Sequence, residues 1–566
     1  MVPVLASHRA LAVPEILHYI FLEFGPSEDP GLHFTAVTLS GSSAACQWDG
    51  EVYFNPGNRD ALAKLARCCK AFADIALEIL WKVQTSIVPL LSLVTSFKKR
   101  DGSYVRIKLT ISGPIANQSI HVHQTFVSKI AGSWKRVELY ARRIRCLVVS
   151  ADAGARKIDD FVFVQLAQLL KEKPLLPLLH TLTYPISAEI FLFVTDHLRR
   201  VTINGRSGQR GEAAFLHALL EKAPGVQHIA SWTTFLPSSL AILAKFNHLT
   251  HLNTGDQAIT GLPYLKAVAG FRHLLELHIC LPRFPKLTPA DRILMPALQT
   301  LVISGDDQSI QDTLQCLCNA PLVSLAITYH WSKLPKGSSW DDLWQHRLKP
   351  ISKWVASLQS LELVDQERDS GDDEALVHSS NFDPLLGIAQ LKYFKFTSEA
   401  TFEFTDSYFL KIAESWPKLQ TLLINFRKYE HEPRATYKSL EAFANLCPDL
   451  RHLSLRIYLN SGNLHTSPRM ILKHGLQRLY ITTPMSDSNY FLIARHLVAL
   501  FPYLQEVDGA EREEEEDEDE EEPPASGFLG DWDAVAAAVR LCQVTIEDHR
   551  MRSRAPVIAH SACEVF

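Results

Sequence analysis

At 566 residues, with 47% hydrophobic and 21% charged residues, the chain has the composition of soluble globular domains, which excludes a collagenous or wholly disordered protein. Its length corresponds to about four domains of roughly 150 residues unless repeats extend one of them. Lys plus Arg number 57 and Asp plus Glu 62, a net charge of −5; the consecutive acids Glu513 to Glu522 carry −10, so the remaining 556 residues sum to +5.

No run reaches the roughly 18 apolar residues of a membrane helix, and the start lacks the ordered zones of a secretory signal. The ten cysteines show no C-x-x-C spacing and read as reduced thiols, without disulfides or zinc. A cytoplasmic or nuclear chain is expected. A body at +5 lacks the basic stripe of nucleic-acid binders, so neither nucleic acid nor membrane is an expected partner.

In chain order, Val13 to Phe24 places Ile16, Leu17, Ile20, Phe21 and Phe24 at helical spacing behind Pro14, a residue suited to a first helical turn. A second helix is expected over Asp60 to Phe72, with Leu62, Leu65, Cys69 and Phe72 on one stripe. A third carries Ile75, Leu77, Ile79, Leu80 and Trp81. So little helix cannot bury its own apolar faces and needs a neighbour.

Three pieces in this segment, Val13-Pro14-Glu15-Ile16-Leu17 with Ile20-Phe21, then Leu62-x-x-Leu65-x-x-x-Cys69-Lys70-x-Phe72, then Leu77-x-x-Leu80-Trp81, resemble the F-box in the form common among fungal F-box proteins. The resemblance implies a helical hairpin with a third helix that docks onto a Skp-type adaptor, and through it a cullin, in a ubiquitin ligase. It assigns Pro14, Ile16, Leu17, Ile20, Phe21, Leu65, Cys69 and Trp81 to adaptor docking. The family joins its first two helices by a short turn, whereas residues 25–59 intervene here, either as an exposed insertion or as an error in the predicted sequence. The alternative is a helical cap for the following domain.

Beyond this module the pattern L-x-x-L-x-[LI] recurs as LQTLVI from Leu298, LVSLAI from Leu322, LQSLEL from Leu358, LQTLLI from Leu419, LRHLSL from Leu450 and LQRLYI from Leu476. Looser copies begin at Leu179, Leu198, Val226, Leu249, Leu274, Leu391 and Leu504. From Leu249 the starts lie 24 to 36 residues apart, a period that predicts a solenoid of the leucine-rich type. The end of each hexad alternates apolar and polar residues as a half-buried strand does. Helical patterns fill the intervals at Ser309 to Ala320, Asp406 to Trp416, Tyr437 to Cys447 and Ser488 to Phe501. Pro224, Pro296, Pro321, Pro417, Pro448 and Pro502 stand where a helix must stop before the next strand.

The expected fold is therefore an α/β leucine-rich-repeat solenoid, a parallel strand ladder with outer helices, preceded by a small all-α module. Its expected parts are the F-box-like module over 1–85, a connecting region with irregular first repeats over 86–178, the solenoid over 179–508, an acidic disordered linker over 509–530 and a C-terminal helix and tail over 531–566. Trp331 to Pro350 and Asp365 to Asp383 read as surface excursions. The F-box side and the helix Asp533 to Cys542 should cap the two ends.

Catalytic chemistry is not expected. The glycine-dense loop Asn204 to Gly211 lacks the order of a phosphate-binding loop, His121-x-His123 has no third ligand at metal spacing, and no nucleophile or metalloprotease motif occurs. No cofactor or metal is predicted. The outward positions of the later hexads are the better candidates. Lys395, Arg427, Arg456, Tyr458, Arg478 and Tyr480 would form a basic face, with Arg456 and Arg478 in one row, suited to an acidic or phosphorylated protein segment. A solvated polar face is the plain alternative. The acidic run is either a spacer or an internal competitor for that face.

These readings converge on a non-enzymatic substrate receptor of a Skp–cullin–F-box type ubiquitin ligase. The alternative is a leucine-rich-repeat interaction scaffold with no ubiquitin role. A regulator of small GTPases would need a catalytic arginine loop that the sequence does not offer.

Overall fold

The first and fourth residues of each hexad decide the architecture, because both are apolar and both turn to the core, the first from the turn before the strand and the fourth from the strand itself. In the computed structural model, which describes residues 13–25, 56–94, 97–100, 103–106, 134–149, 158, 160–204, 211–231, 235, 237–255, 262–281, 292–330, 339–366, 376–398, 400–426, 433–459, 471–481, 489–509 and 529–554, these side chains are buried in every copy, save Val507 of the last, which is half-buried. The chain divides into two compact units, Met1–Cys280 and Leu281–Phe566.

Unit 1 opens with three helices, α1 (Pro14–Leu22), α2 (Pro56–Cys68) and α3 (Lys70–Lys82). Leu17 and Phe21 of α1 meet Leu62, Ala76 and Ile79 in a small core, flanked by Leu65, Phe72 and Ile75. Phe21 and Phe72 pack edge to face at 5.5 Å. The expected helix Asp60 to Phe72 does not run unbroken: Cys69 is extended (φ −157°, ψ 166°) and begins α3. Leu62 and Leu65 therefore belong to one helix and Phe72 to the next, and the core forms between helices rather than along one stripe. Residues 26–55, most of the expected insertion, lie outside the described residues.

Helix α3 passes without a linker into β1 (Val83–Gln84), which pairs with β2 (Cys146–Val148). The ladder thus begins ahead of Leu179, and its second strand falls in the stretch 86–178 expected to hold irregular first repeats. Ile144 and Leu147 occupy the core positions of this extra rung and are fully buried. It continues in parallel register through β3 (Thr181–Pro185), β4 (Arg200–Asn204), β5 (His228–Ser231), β6 (His251–Asn253) and β7 (Glu276–Leu281).

Unit 2 repeats the scheme with β8 (Thr300–Gly305), β9 (Ser324–His330), β10 (Ser360–Gln366), β11 (Tyr393–Ser398), β12 (Thr421–Phe426), β13 (His452–Leu455), β14 (Arg478–Ile481) and β15 (Glu506–Gly509), again all parallel. Leu301, Leu325, Leu361, Phe394, Leu422, Leu453 and Leu479 form one buried row in register. Burying each stabilises the ladder by about 1.5–3 kcal/mol.

The intervening helices follow the sequence pattern closely: Asp307–Cys316, Asp406–Ser415, Tyr437–Leu446 and Tyr490–Leu500. Thr405, Thr436 and Asn489 cap the last three through their side-chain oxygens. The Asp406 carboxylate also ties successive repeats together. It accepts from the Thr436 backbone N–H and hydroxyl at 2.7 Å each and from the Ser439 hydroxyl at 2.6 Å.

Both expected surface excursions are corrected by burial where they are described, at 339–350 and at 365 and 376–383. Trp331 to Pro350, as far as it is described, enters a capping box at Ser339 and forms the helix Trp340–Leu348, whose Trp344 and Arg347 are completely buried. Arg347 forms a bidentate pair with Asp307 (2.6 and 3.0 Å). It also approaches Asp365 at 3.2 Å and stacks its guanidinium over the Tyr329 and Trp344 rings at 4.2 and 4.5 Å. The polar stretch after Asp365 ends in Phe382, buried among four other phenylalanines.

The last strand is covered by the C-terminal helix Leu529–Arg554. Trp532, Val535 and Val539 are buried, and Gln543 donates to the Pro502 and Leu504 carbonyls at 3.2 and 2.8 Å. Gly509 is required there, since a Cβ would collide with the Trp532 indole. Among the described residues no helix is long and apolar enough to cross a membrane. The acidic run Glu513 to Glu522 lies outside the described residues.

Candidate functional site

Three surfaces deserve comparison, and the first is α1. Its eight-residue candidate set divides sharply. Leu17 and Phe21 are buried in the module's own core, Leu65 is half-buried beside it, and the half-buried Trp81 packs on Tyr140 at 4.7 Å. Pro14, Ile16, Ile20 and Cys69 are exposed. The flank of α1 beside this buried stripe thus presents apolar side chains to the outside: Val13, Ile16, Tyr19 and Ile20 retain 38, 40, 73 and 42% of their surface. Apolar side chains grouped this way on one helix face mark an interaction surface.

The second surface is the polar face of the unit 2 ladder, where the expected basic row does not form. His452, not Arg456, lies opposite Arg478. Arg456 sits four residues further along its chain, about 13 Å at strand rise, and is buried. Lys395 and Arg478 each meet a carboxylate from an adjacent rung. Lys395 pairs with Glu362 and Arg478 with Glu506, both at 2.9 Å and both in direct register. Tyr458 and Tyr480 are half-buried, with Asp508 opposite Tyr480. Arg427 lies outside the described residues. Lys395 and Arg478 are thus each matched by a carboxylate of the chain itself. Because the Arg478–Glu506 pair is mostly exposed, a double-mutant cycle with Ala at both positions should give a coupling below about 1 kcal/mol that shrinks in high salt. A larger, salt-independent value would contradict this reading of an exposed pair.

The third surface was missed by the sequence reading and lies on unit 1. The register places Arg200, His228, His251 and Glu276 side by side on β4 to β7. The His228 and His251 rings stack with centroids 3.8 Å apart and planes 17° apart. Glu276 is buried and bonded to His278 at 2.7 Å, and it also approaches His251 Nε2 at 3.5 Å. The Thr250 hydroxyl holds His251 Nδ1 at 2.8 Å.

Burial, together with the neighbouring His251 and Arg200 charges, pushes His228 down to about 4. His251 is also lowered, chiefly by burial, against the pull of Glu276. Burial would raise the Glu276 carboxyl, but the His278 hydrogen bond and the surrounding imidazoles hold it below its usual value. Among the described residues Arg200 has no carboxylate within ion-pair distance, and neither His228 ring nitrogen has a hydrogen-bond partner. The signal was present in the sequence: these four residues are the third positions of the looser copies beginning at Leu198, Val226, Leu249 and Leu274.

The remaining candidates contribute no site. His121 and His123 lie outside the described residues, as does the middle of the glycine-dense loop, which ends at Gly211 in a positive-φ conformation (141°) before the helix Glu212–Lys222. Among the described residues no group of three His, Cys, Asp or Glu side chains could hold a metal.

The sequence matches no protein-family model and no curated protein. Among solved structures the chain is similar to an internalin C2 from Listeria monocytogenes (18% identity, covering 44% of this chain and 85% of that one, TM-score 0.23). It is also similar to the Rad7 and Elc1 complex of yeast (15% identity, 65% and 94%, TM-score 0.29) and to a Bacteroides fragilis protein (14% identity, 62% and 90%, TM-score 0.24). The α/β ladder assignment rests on the strand register itself.

Proposed function

We propose that the chain is the substrate-recognition subunit of a Skp–cullin–F-box type ubiquitin ligase, with α1 to α3 docking a Skp-type adaptor and the repeats holding a target protein. On this reading the chain performs no chemistry of its own; other subunits transfer ubiquitin. The observation that carries the proposal is the two-sided use of α1. Leu17 and Phe21 close the helical module, while Ile16 and Ile20 remain exposed beside Tyr19, at the positions where the F-box resemblance places adaptor contacts. A helix serving only as a cap would turn its second apolar side toward the chain as well.

Co-expression with a Skp-type adaptor tests the idea. The full chain should co-purify with it, and Ile16→Asp with Ile20→Asp should abolish the complex while leaving the thermal unfolding midpoint within a few degrees, since both residues are exposed. Leu17→Asp is expected to lose the adaptor by a different route, collapsing the helical module. An adaptor that never binds, or one that binds the Ile16→Asp, Ile20→Asp variant equally, leaves an interaction scaffold without a ubiquitin role.

A further inference from the structure

The two ladder faces treat charge in opposite ways. On unit 2, Lys395 and Arg478 each find a carboxylate on an adjacent rung at 2.9 Å. On unit 1, the exposed Arg200 has no such partner among the described residues, and its two neighbours in register are Thr181 and an imidazole, His228. That imidazole is itself held in place. It stacks on His251, which is fixed by Thr250 on one nitrogen and by Glu276 on the other side, and Glu276 is anchored by His278. A chain of buried and half-buried polar contacts thus ends in one half-exposed ring beside one exposed guanidinium, with hydrogen-bonding capacity left over on both among the described residues.

We propose that Arg200 and His228, on the polar face of the unit 1 ladder, bind a carboxylate of an acidic segment of a partner protein, and that His228 gains a proton as the segment docks. The guanidinium supplies a planar pair of donors that fits a carboxylate, and the carboxylate completes the cation–anion alternation that unit 2 builds internally. Glu276 shows beside the same row that an imidazole can donate to a carboxylate oxygen, His278 Nε2 lying 2.7 Å from Glu276 Oε1.

The groups facing His228 are His251, Arg200 and, further off, Glu276; those facing His251 are Glu276, Arg200 and His278. In the free protein His228 is neutral down to about pH 4. A bound carboxylate adds an opposite charge and raises that value. Between about 4 and the raised value the complex holds more protons than its separated parts. Affinity therefore climbs as pH falls through that window and is flat above it. If the receptor reading holds, this is where its target is read. The binding itself needs no adaptor, so failure of one and failure of the other are separate results.

The test uses the full chain and a fluorescent ten-residue Asp-Ser repeat peptide, with an Asn-Ser repeat, an Asn-phosphoserine repeat and a ten-nucleotide uridylate as comparisons. The Asp-Ser peptide should bind and the Asn-Ser peptide should not, with affinity rising at least fivefold from pH 7.0 to pH 5.0. Arg200→Gln should weaken binding about tenfold, with Arg200→Lys recovering part of the loss. His228→Gln should hold affinity constant across that pH range. Equal binding of the Asn-Ser peptide, an indifferent Arg200→Gln, or a pH slope that survives His228→Gln overturns the proposal. So does tighter, Arg200-dependent binding of the phosphoserine peptide or the uridylate, which would assign the site to a different ligand class.

Discussion

Arg347→Met is expected to destabilise the chain by about 3–5 kcal/mol, read as a fall in the urea midpoint followed by tryptophan fluorescence. The guanidinium is completely buried and stands between Asp307 and the equally buried Asp365. Burial works against its charge, but the Asp365 and Asp307 carboxylates outweigh that and raise its pKa above the ordinary arginine value. Met fills the space between Tyr329 and Trp344 but leaves two carboxylates without their cation. The loss is therefore electrostatic, and Arg347→Met combined with Asp307→Asn and Asp365→Asn should recover a large part of it, because replacing all partners of a buried ion group is far milder than removing one. A single variant as stable as the parent would mean that the residues around Trp344 stay outside the core.

Phe382→Ala should cost about 3–5 kcal/mol. Its ring lies 4.9 Å from Phe396, 5.3 Å from Phe402, 5.6 Å from Phe404 and 6.1 Å from Phe394, mostly edge to face. Such pairs add about 0.5–1.5 kcal/mol beyond their buried area. Phe382→Leu keeps much of the volume and should lose about half as much. A change within about 0.5 kcal/mol for the Ala variant, as for ordinary surface substitutions, would return this stretch to the surface.

Both residues fall in segments that composition marks as excursions, which shows where sequence reading reaches its limit. The ladder was legible because hexad leucines repeat at a period. Helix ends were legible within a few residues because Pro417, Pro448 and Pro502 stop each helix before its strand. Trp331 to Pro350 carries no hexad, and its polar composition hides that Arg347 brings its own counter-ions from Asp307 and Asp365, 40 residues before it and 18 after.

The break at Cys69 was invisible for another reason. Cysteine is only a moderate helix former and carries no stop signal, so the apolar stripe reads straight through it. On the polar face, Arg456 and Arg478 read as neighbours because both take outward positions in the alternation of their segments, although Arg456 is buried. Arg456 stands one residue past its hexad and Arg478 is the third residue of its own, and register matches only equal positions. The same rule, applied to the third positions of the looser copies, finds Arg200, His228, His251 and Glu276. Their hexads are weaker in leucine, and the eye follows leucine.

The junction at Lys82 and Val83, where helix gives way to strand with no residue between, turns unit 1 into a gauge. Arg200 and His251 lie three and five rungs from that junction in the order of pairing, about 14 and 24 Å at the spacing of neighbouring strands. A molecule seated on this row is therefore presented at a set distance from whatever holds α3, with no tether to swing on. Reach along such a ladder changes only in whole steps, by the gain or loss of a rung.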